Sequence, residues 1–477
     1  MKTLGLQITS MLTGTRPNPN RAAAQLMIRH AIGLAVGFIG SIILARSLGP
    51  DAWGVYGIAA VVLVIGQQFV ERGAVGYLIQ RTSEPNPEVL STALCVQIAF
   101  GVITGLAIVL GAPLAVHWYG REELRAMLTA VAVAVVAYAL RARPMGLLER
   151  RLRYGPVAAI EVLDLAAFNV VAVACVAFGS GLFALTVAVA VRGLVSLAAA
   201  SVFAHGEPGP FKPSVARARE MVGYALPYSV ANGLTWVNTA AAPLLVGTFS
   251  GPRSLGILQL AYQIVVYPQL LTGIIGRVAL PAYARINDPV ELARRVQTGT
   301  SSLLRYAGVA TLILAATSAY WVGPIYGDQW LDMSKYMLVI AGAFGIERSL
   351  TLVVAALNAR RQVMSVLTTN AIFSVVYWLA ALALVPLFGA VGLPAAYALG
   401  AVTFPAFLHW YRAKVAPIRI TRALLEYAFV CALAIPVAIA EEDLLPRGAG
   451  AAAIIAMAFL PGAYAVSAIR RRVAATA

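Results

Sequence analysis

Leu44-Ala45-Arg46-Ser47-Leu48-Gly49-Pro50-Asp51-Ala52-Trp53-Gly54 ends one long apolar run and begins the next. Proline has no N–H to give a helix and glycine accepts a tight reversal, so Gly49-Pro50 stops the first run. Asp51 then stands at the N-terminus of the second, where a carboxylate suits the helix dipole. The stretch predicts a tight hairpin between two helices. Ser250-Gly251-Pro252-Arg253-Ser254-Leu255-Gly256 echoes it farther along.

The residues around these hairpins set the class of protein. Sixty per cent of the chain is hydrophobic and 12% is charged, too little charge to coat a water-soluble surface of this size. Apolar runs of about 20 residues recur throughout, the length that crosses a hydrocarbon core of ~30 Å. An all-α polytopic membrane protein is expected. Its net charge of +16 would suggest a nucleic-acid partner in a soluble protein. Here the basic residues collect in alternate loops, as the positive-inside rule requires. Cys95, Cys175 and Cys431 lie inside apolar runs, so neither a disulfide framework nor a metal site is implied. The N-terminal segment is mixed in character and does not read as a cleavable signal peptide.

About 14 spans are expected. They cover about 22–47, 51–74, 89–116, 122–142, 155–177 and 182–204, then 225–249, 254–280, 301–323, 334–358, 363–386 and 392–411, with a final pair near 423–440 and 449–469. Short turns at Trp118-Tyr119-Gly120, Phe178-Gly179-Ser180-Gly181, Tyr326-Gly327-Asp328 and Phe388-Gly389 join them on one side. On the other side lie arginine-rich loops, including a dense one with Arg141, Arg143, Arg150, Arg151 and Arg153. That asymmetry places both termini in the cytoplasm and the Gly-Pro hairpins on the outer rim, as candidate gate contacts.

Gly49, Pro50 and Gly54 recur as Gly251, Pro252 and Gly256 at one spacing. Arg150-Arg151 and Phe178-Gly179 recur as Arg360-Arg361 and Phe388-Gly389 at a slightly larger one, which a short insertion in the 285–300 loop would explain. Chance is the alternative, since such turns are common. Landmarks in the same order at matching helix boundaries favour an internal repeat. The expected plan is a tail over 1–21, a six-helix lobe over 22–205 and a linker over 206–224. A second six-helix lobe over 225–414 and a C-terminal helix pair with basic tail over 415–477 complete it. Six helices per unit give the lobes one orientation, related by an axis along the membrane normal with a cleft between them.

Ionisable residues inside spans are the candidates for function, because hydrocarbon tolerates them only when they are paired or face water. Arg29, Arg72, Arg192, Arg277 and Arg348 are candidate headgroup contacts in a water-filled cavity, and Glu71, Glu161, Asp164 and Glu347 candidate coupling or conformational acids. Arg192 and the Glu347-Arg348 pair fall deepest; the others, with Arg305, fall within a few turns of the cytoplasmic face. Gln67 with Glu71, Gln68 with Arg72, and Glu161 with Asp164 share helix faces. Snorkelling to the interface, or pairing with each other, is the alternative for Arg29, Glu71, Arg277 and Arg305. The four histidines sit near span ends and read as interfacial. No phosphate-binding glycine loop, zinc-ligand spacing or nucleophile elbow occurs, and the outward loops are short, so no enzyme is expected.

Leu44 to Tyr56 resembles the start of the polysaccharide flippases (Wzx-type) of the multidrug/oligosaccharidyl-lipid/polysaccharide exporter superfamily, and Gly73 to Gln80 continues the likeness. In the second half Tyr224-Ala225-Leu226-Pro227, Gly251 to Tyr262 and Pro281-Ala282-Tyr283-Ala284-Arg285 agree. The resemblance implies two six-helix lobes around a cleft with two extra C-terminal helices. It further implies transport of an undecaprenyl-pyrophosphate-linked oligosaccharide across the bacterial inner membrane by alternating access, without a cofactor. Membrane lipids and the polysaccharide polymerase and chain-length machinery are the expected partners. Drug-exporting relatives often carry an acid in the first helix for cation coupling, and His30 to Ala45 contains none. The coupling ion, H+ or Na+, stays open. The rival readings are a peptidoglycan lipid-precursor flippase, a multidrug/cation antiporter, a membrane glycosyltransferase or polymerase, and a non-transporting scaffold.

Overall fold

A computed structural model describes residues 19–427 of the 477, apart from 81–85, 152, 205–209, 237–239, 267–274, 277–278, 281, 416–417, 419 and 421–422. Among the described residues every regular element is a helix. In chain order these are α1 (Pro19–Gln80), α2 (Pro87–Tyr119), α3 (Glu123–Arg150), α4 (Tyr154–Ala177), α5 (Phe183–Phe203), α6 (Val215–Trp236) and α7 (Pro243–Val266). There follow α8 (Pro289–Ala316), α9 (Ser318–Tyr326), α10 (Met333–Ser349), α11 (Thr351–Ala359), α12 (Val363–Phe388), α13 (Gly392–Gly400) and α14 (Pro405–Lys414). Six described stretches are long and apolar enough to cross a bilayer: Val36–Glu71, α2, α3, α4, α5 and Met364–Gly400. The expected C-terminal helix pair lies outside the described residues except for 423–427.

The chain divides into two compact units, Met1–Gly256 and Ile257–Ala477. In the first, α3 is the innermost span: 61% of its apolar stretch is buried inside the protein, against 28% for α2 and α4. The apolar side chains of α2 that point away, Val102, Leu106, Val109 and Leu110, recur along one helix face. Such a continuous exposed apolar stripe suits lipid, not water.

Several expected boundaries need correction. The expected fourth span does not end near 142 but continues as helix to Arg150, so Arg141 and Arg143 belong to α3 and not to a loop. Pro144 stays within that helix. The linker ends early, because α6 begins at Val215. The expected spans 301–323, 334–358 and 392–411 are each interrupted, at Thr317, at Leu350 and by a 3-10 turn over Ala401–Thr403.

Both hairpins form as expected. Gly49 has φ 78 and ψ 173, and Gly251 has φ 82 and ψ 167, a region of backbone space open essentially to glycine. The two hairpins also touch within the first unit. A β-carbon built on Gly54 would overlap the carbonyl of Pro252, and one built on Gly256 would overlap the carbonyl of Pro50. Each hairpin therefore lodges its proline carbonyl against the glycine of the other. Asp51 receives Arg121 Nη2 at 2.5 Å, and Tyr119 Oη lies 3.4 Å from both the Leu244 carbonyl and Thr248 Oγ1.

The helix starts repeat the same economy. Asn86 caps α2 by accepting from the Val89 N–H at 3.0 Å, with Pro87 in the first turn. Asp288 caps α8 by accepting from Val290 and Glu291 N–H groups at 2.9 and 3.3 Å, with Pro289 in the first turn. This pair stands at the spacing of the Gly-Pro pair, so the drift in the repeat arises after Asp288. Arg150 Nη1 donates to the Leu78 carbonyl at 2.9 Å and Arg360 Nη2 to the Ile286 carbonyl at 2.7 Å, so both landmark arginines close off a preceding segment.

Replacing Gly49 or Gly251 with Ala should cost about 1–3 kcal/mol through the forced backbone conformation. Gly54→Ala should cost at least as much, because a backbone carbonyl must retreat. Thermal unfolding of purified protein in detergent measures both, and unchanged melting of Gly54→Ala would show that the hairpins do not need this contact.

Candidate functional site

Four of the helices of the first unit meet on a buried ionic cluster. On α3, Ala134, Tyr138 and Arg141 follow one another on a single face. Gly193 of α5 packs against Ala134 so closely that a β-carbon there would come within 2.8 Å of the Ala134 Cα. That approach brings the neighbouring Arg192, and Ser196 one turn on, up to the polar face of α3. Glu71 arrives from the second arm of α1 and Asp164 from α4.

Arg141 uses three of its five N–H groups. It donates from Nε at 2.9 Å and from Nη2 at 2.5 Å to Glu71 Oε1, and from Nη1 at 2.5 Å to Ser196 Oγ. Its Nη1 also lies 4.0 Å from Asp164 Oδ1, and its guanidinium carbon sits 4.5 Å from the centre of the Tyr138 ring. Only 5% of its side chain is exposed. Glu71 in turn accepts Gln67 Nε2 on its other oxygen at 3.1 Å.

Asp164 divides its two oxygens. Oδ1 accepts from Tyr138 Oη at 2.7 Å and faces Arg141, whereas Oδ2 pairs with Arg192 Nη2. Arg192 is the less committed arginine. It keeps 18% of its side chain exposed, rests with its guanidinium carbon 5.5 Å from the centre of the Phe168 ring, and has a buried Nε with no hydrogen-bond partner. Phe168 stacks in turn on Tyr56 at 5.5 Å.

Two acids and two arginines give the cluster no net formal charge. Inside a low-dielectric span each charge is costly alone, so the pairing is a condition of burial. The four charges also bind four separate helices, which makes the cluster a clamp as well as a charge store.

Of the residues expected at the site, Glu71, Asp164 and Arg192 come together here. Asp164 and Arg192 therefore stand at one depth, not at the two depths that rise per residue implied. Glu161 is exposed while Asp164 is buried, so these two do not act on one environment. Arg277 lies outside the described residues, and so do the side chains of Arg29, Arg72, Glu347 and Arg348. Arg305 pairs with Glu426 at 3.0 Å in the second unit. The sequence reading missed Arg141, assigning it to a basic loop. The helical spacing that aligns it with Tyr138 and Ala134 was the available signal.

Residues 43–335 match the family described as "Polysaccharide biosynthesis protein". The Teichuronic acid biosynthesis protein TuaB of Bacillus subtilis is 24% identical over 284 residues, 58% of this chain and 58% of that protein. The Lipopolysaccharide biosynthesis protein WzxC of Escherichia coli is 22% identical over 314 residues, 64% of this chain and 62% of that protein. The chain thus spans 58% and 62% of the lengths of these curated relatives. Among solved structures, Lipid II flippase MurJ in an inward closed conformation superposes with a TM-score of 0.75 at 12% identity, over 94% of this chain and 99% of that one. An inward-facing multidrug resistance MATE family transporter of the MOP superfamily gives 0.61 at 12% identity, over 83% and 98%. At such identities the superpositions establish the fold, an all-α polytopic one.

Arg141→Ala should lower stability by about 3–5 kcal/mol, because it strands Glu71 in the span. Glu71→Ala should cost about the same, and the double replacement much less than the sum. Melting curves for the four proteins give the coupling, and additive losses would show that the pair is not a clamp.

Proposed function

Because the chain belongs to the polysaccharide biosynthesis protein family, we propose that it is a flippase moving undecaprenyl-pyrophosphate-linked oligosaccharide units across the bacterial inner membrane by alternating access. The observation that carries this reading is Arg192. A half-buried guanidinium inside a span, with one carboxylate partner and an unused buried N–H, is a ready contact for an anion. Guanidinium groups match phosphate oxygens in geometry and hold their charge at any physiological pH. The Phe168 ring packs against the group, its centre 5.5 Å from the guanidinium carbon.

Arg141 has a different part in this proposal. With its donors engaged by Glu71 and Ser196, it holds the helices that present Arg192. Arg29, Arg72, Arg277 and Arg348 remain further headgroup contacts in the proposal, and Glu161 and Glu347 acids that set conformation. Glu71 and Asp164 act by ion pairing. Transport needs no bond made or broken in the cargo, so the protein works as a carrier and not as an enzyme. Membrane lipids surround the spans, and the polymerase that would receive the cargo is a partner in the same reading.

A strain lacking this gene should accumulate undecaprenyl-pyrophosphate-linked repeat units on the inner leaflet and lose its surface polysaccharide. Arg192→Ala should fail to restore the polysaccharide at normal protein levels in the membrane. Accumulation of a peptidoglycan precursor instead would reassign the cargo, and normal polysaccharide in the Arg192→Ala strain would remove Arg192 from it.

A further inference from the structure

We propose that Asp164 is a displaceable stand-in for phosphate: it holds Arg192 until a phosphate oxygen takes its place, and then passes to Arg141. The inference rests on the flippase reading above and adds to it the step by which cargo is admitted.

The geometry is asymmetric in the way such an exchange needs. Oδ2 of Asp164 meets Arg192, whereas Oδ1 is held by Tyr138 Oη at 2.7 Å and faces Arg141 Nη1 at 4.0 Å. Losing Arg192 therefore leaves the carboxylate tethered on its other oxygen. A movement of about 1 Å would bring it within charge-assisted hydrogen-bond distance of Arg141. With two acids already matched by two arginines, a phosphate is attracted to Arg192 only when Asp164 withdraws from it. Arg141, although paired with Glu71, lies 4.0 Å from Asp164 Oδ1, and its guanidinium has N–H groups enough to contact both carboxylates.

One contact competes with the transfer. Arg141 Nη1 spends one of its two N–H groups on Ser196 Oγ at 2.5 Å, which holds the guanidinium where Asp164 Oδ1 lies 4.0 Å away. Ser196 lies one turn beyond Arg192 on α5. Phosphate binding would thus remove the Arg192–Asp164 pair between α5 and α4 and loosen the Ser196 contact to α3, while the close packing of α5, including Gly193 against Ala134, stays. Cargo occupancy is then transmitted to the polar contacts of α5.

The full-length protein in nanodiscs is titrated with geranylgeranyl pyrophosphate. Asp164→Asn, a weaker competitor for Arg192, should bind it about tenfold more tightly than the unaltered protein. Ser196→Ala changes no charge, frees Arg141 Nη1 to receive Asp164, and should tighten binding about threefold. Arg192→Ala should lose binding. A cluster that serves only to hold helices together predicts unchanged or weaker binding in both tightening variants, and that result would overturn the exchange even if the unaltered protein binds. Should Asp164→Asn fail to fold, Ser196→Ala decides alone. No binding by the unaltered protein would instead overturn the phosphate contact on which the flippase reading depends. Saturation by inorganic pyrophosphate with no response to the prenyl compound would assign the site to a free anion and overturn the lipid-linked one.

Discussion

A charge placed inside a membrane span must be matched by another, and the first unit of this protein is arranged around that requirement. Lipid supplies little hydrophobic drive for one apolar helix to choose another, so close packing and polar contacts decide which helices meet. Here α3 carries the deciding groups. Arg141 reaches Glu71 on α1 and Ser196 on α5, while Tyr138 reaches Asp164 on α4. Small residues make these distances possible. Gly101 and Gly105 of α2 lie against Ala139 and Val136 of α3, as Gly193 of α5 lies against Ala134. The most buried span is thus also the one whose polar face addresses three neighbours.

A different constraint governs the other end of the unit. There no charge needs burial, and the hairpins meet through backbone. The carbonyls of Pro50 and Pro252 approach Gly256 and Gly54, which only the absence of a β-carbon allows. The Asp51–Arg121 pair and the Tyr119 hydroxyl stand around this contact. Such an arrangement is specific in shape but light in charge, unlike the cluster that clamps α1, α3, α4 and α5.

The duplicated landmarks extend beyond sequence likeness. Two glycines share one rare backbone conformation, two Asx-Pro pairs cap helices by accepting the N–H three residues on, and two arginines donate to carbonyls of preceding segments. Repetition of local geometry at matched positions is stronger support for an internal repeat than matched letters. The described helices are not copies, however. Breaks at Thr317 and Leu350 interrupt stretches whose counterparts α2 and α3 are continuous.

Composition and order along the chain were sufficient for the all-helical membrane class, the two hairpins, the turns at Gly120, Gly179, Gly327 and Gly389, and the resemblance to the polysaccharide flippases. Each of these depends on residues close together in sequence: proline and glycine stop a helix where they stand, and an apolar run needs only its own length to span lipid. Glu71, Asp164 and Arg192 were visible as charges in the wrong solvent, but not as partners. Arg141 was hidden by its basic neighbours, because a run of arginines beside a proline looks the same in a loop as at the end of a long helix. Its partner Glu71 is 70 positions away, and Arg192 is 28 from Asp164. Which of several charges pair, which arginine keeps an unused N–H, and which hairpin carbonyl meets which glycine follow from the packing of whole helices. Tertiary structure decided these, because the energy of a buried charge depends on what surrounds it in space and not on what precedes it in the chain.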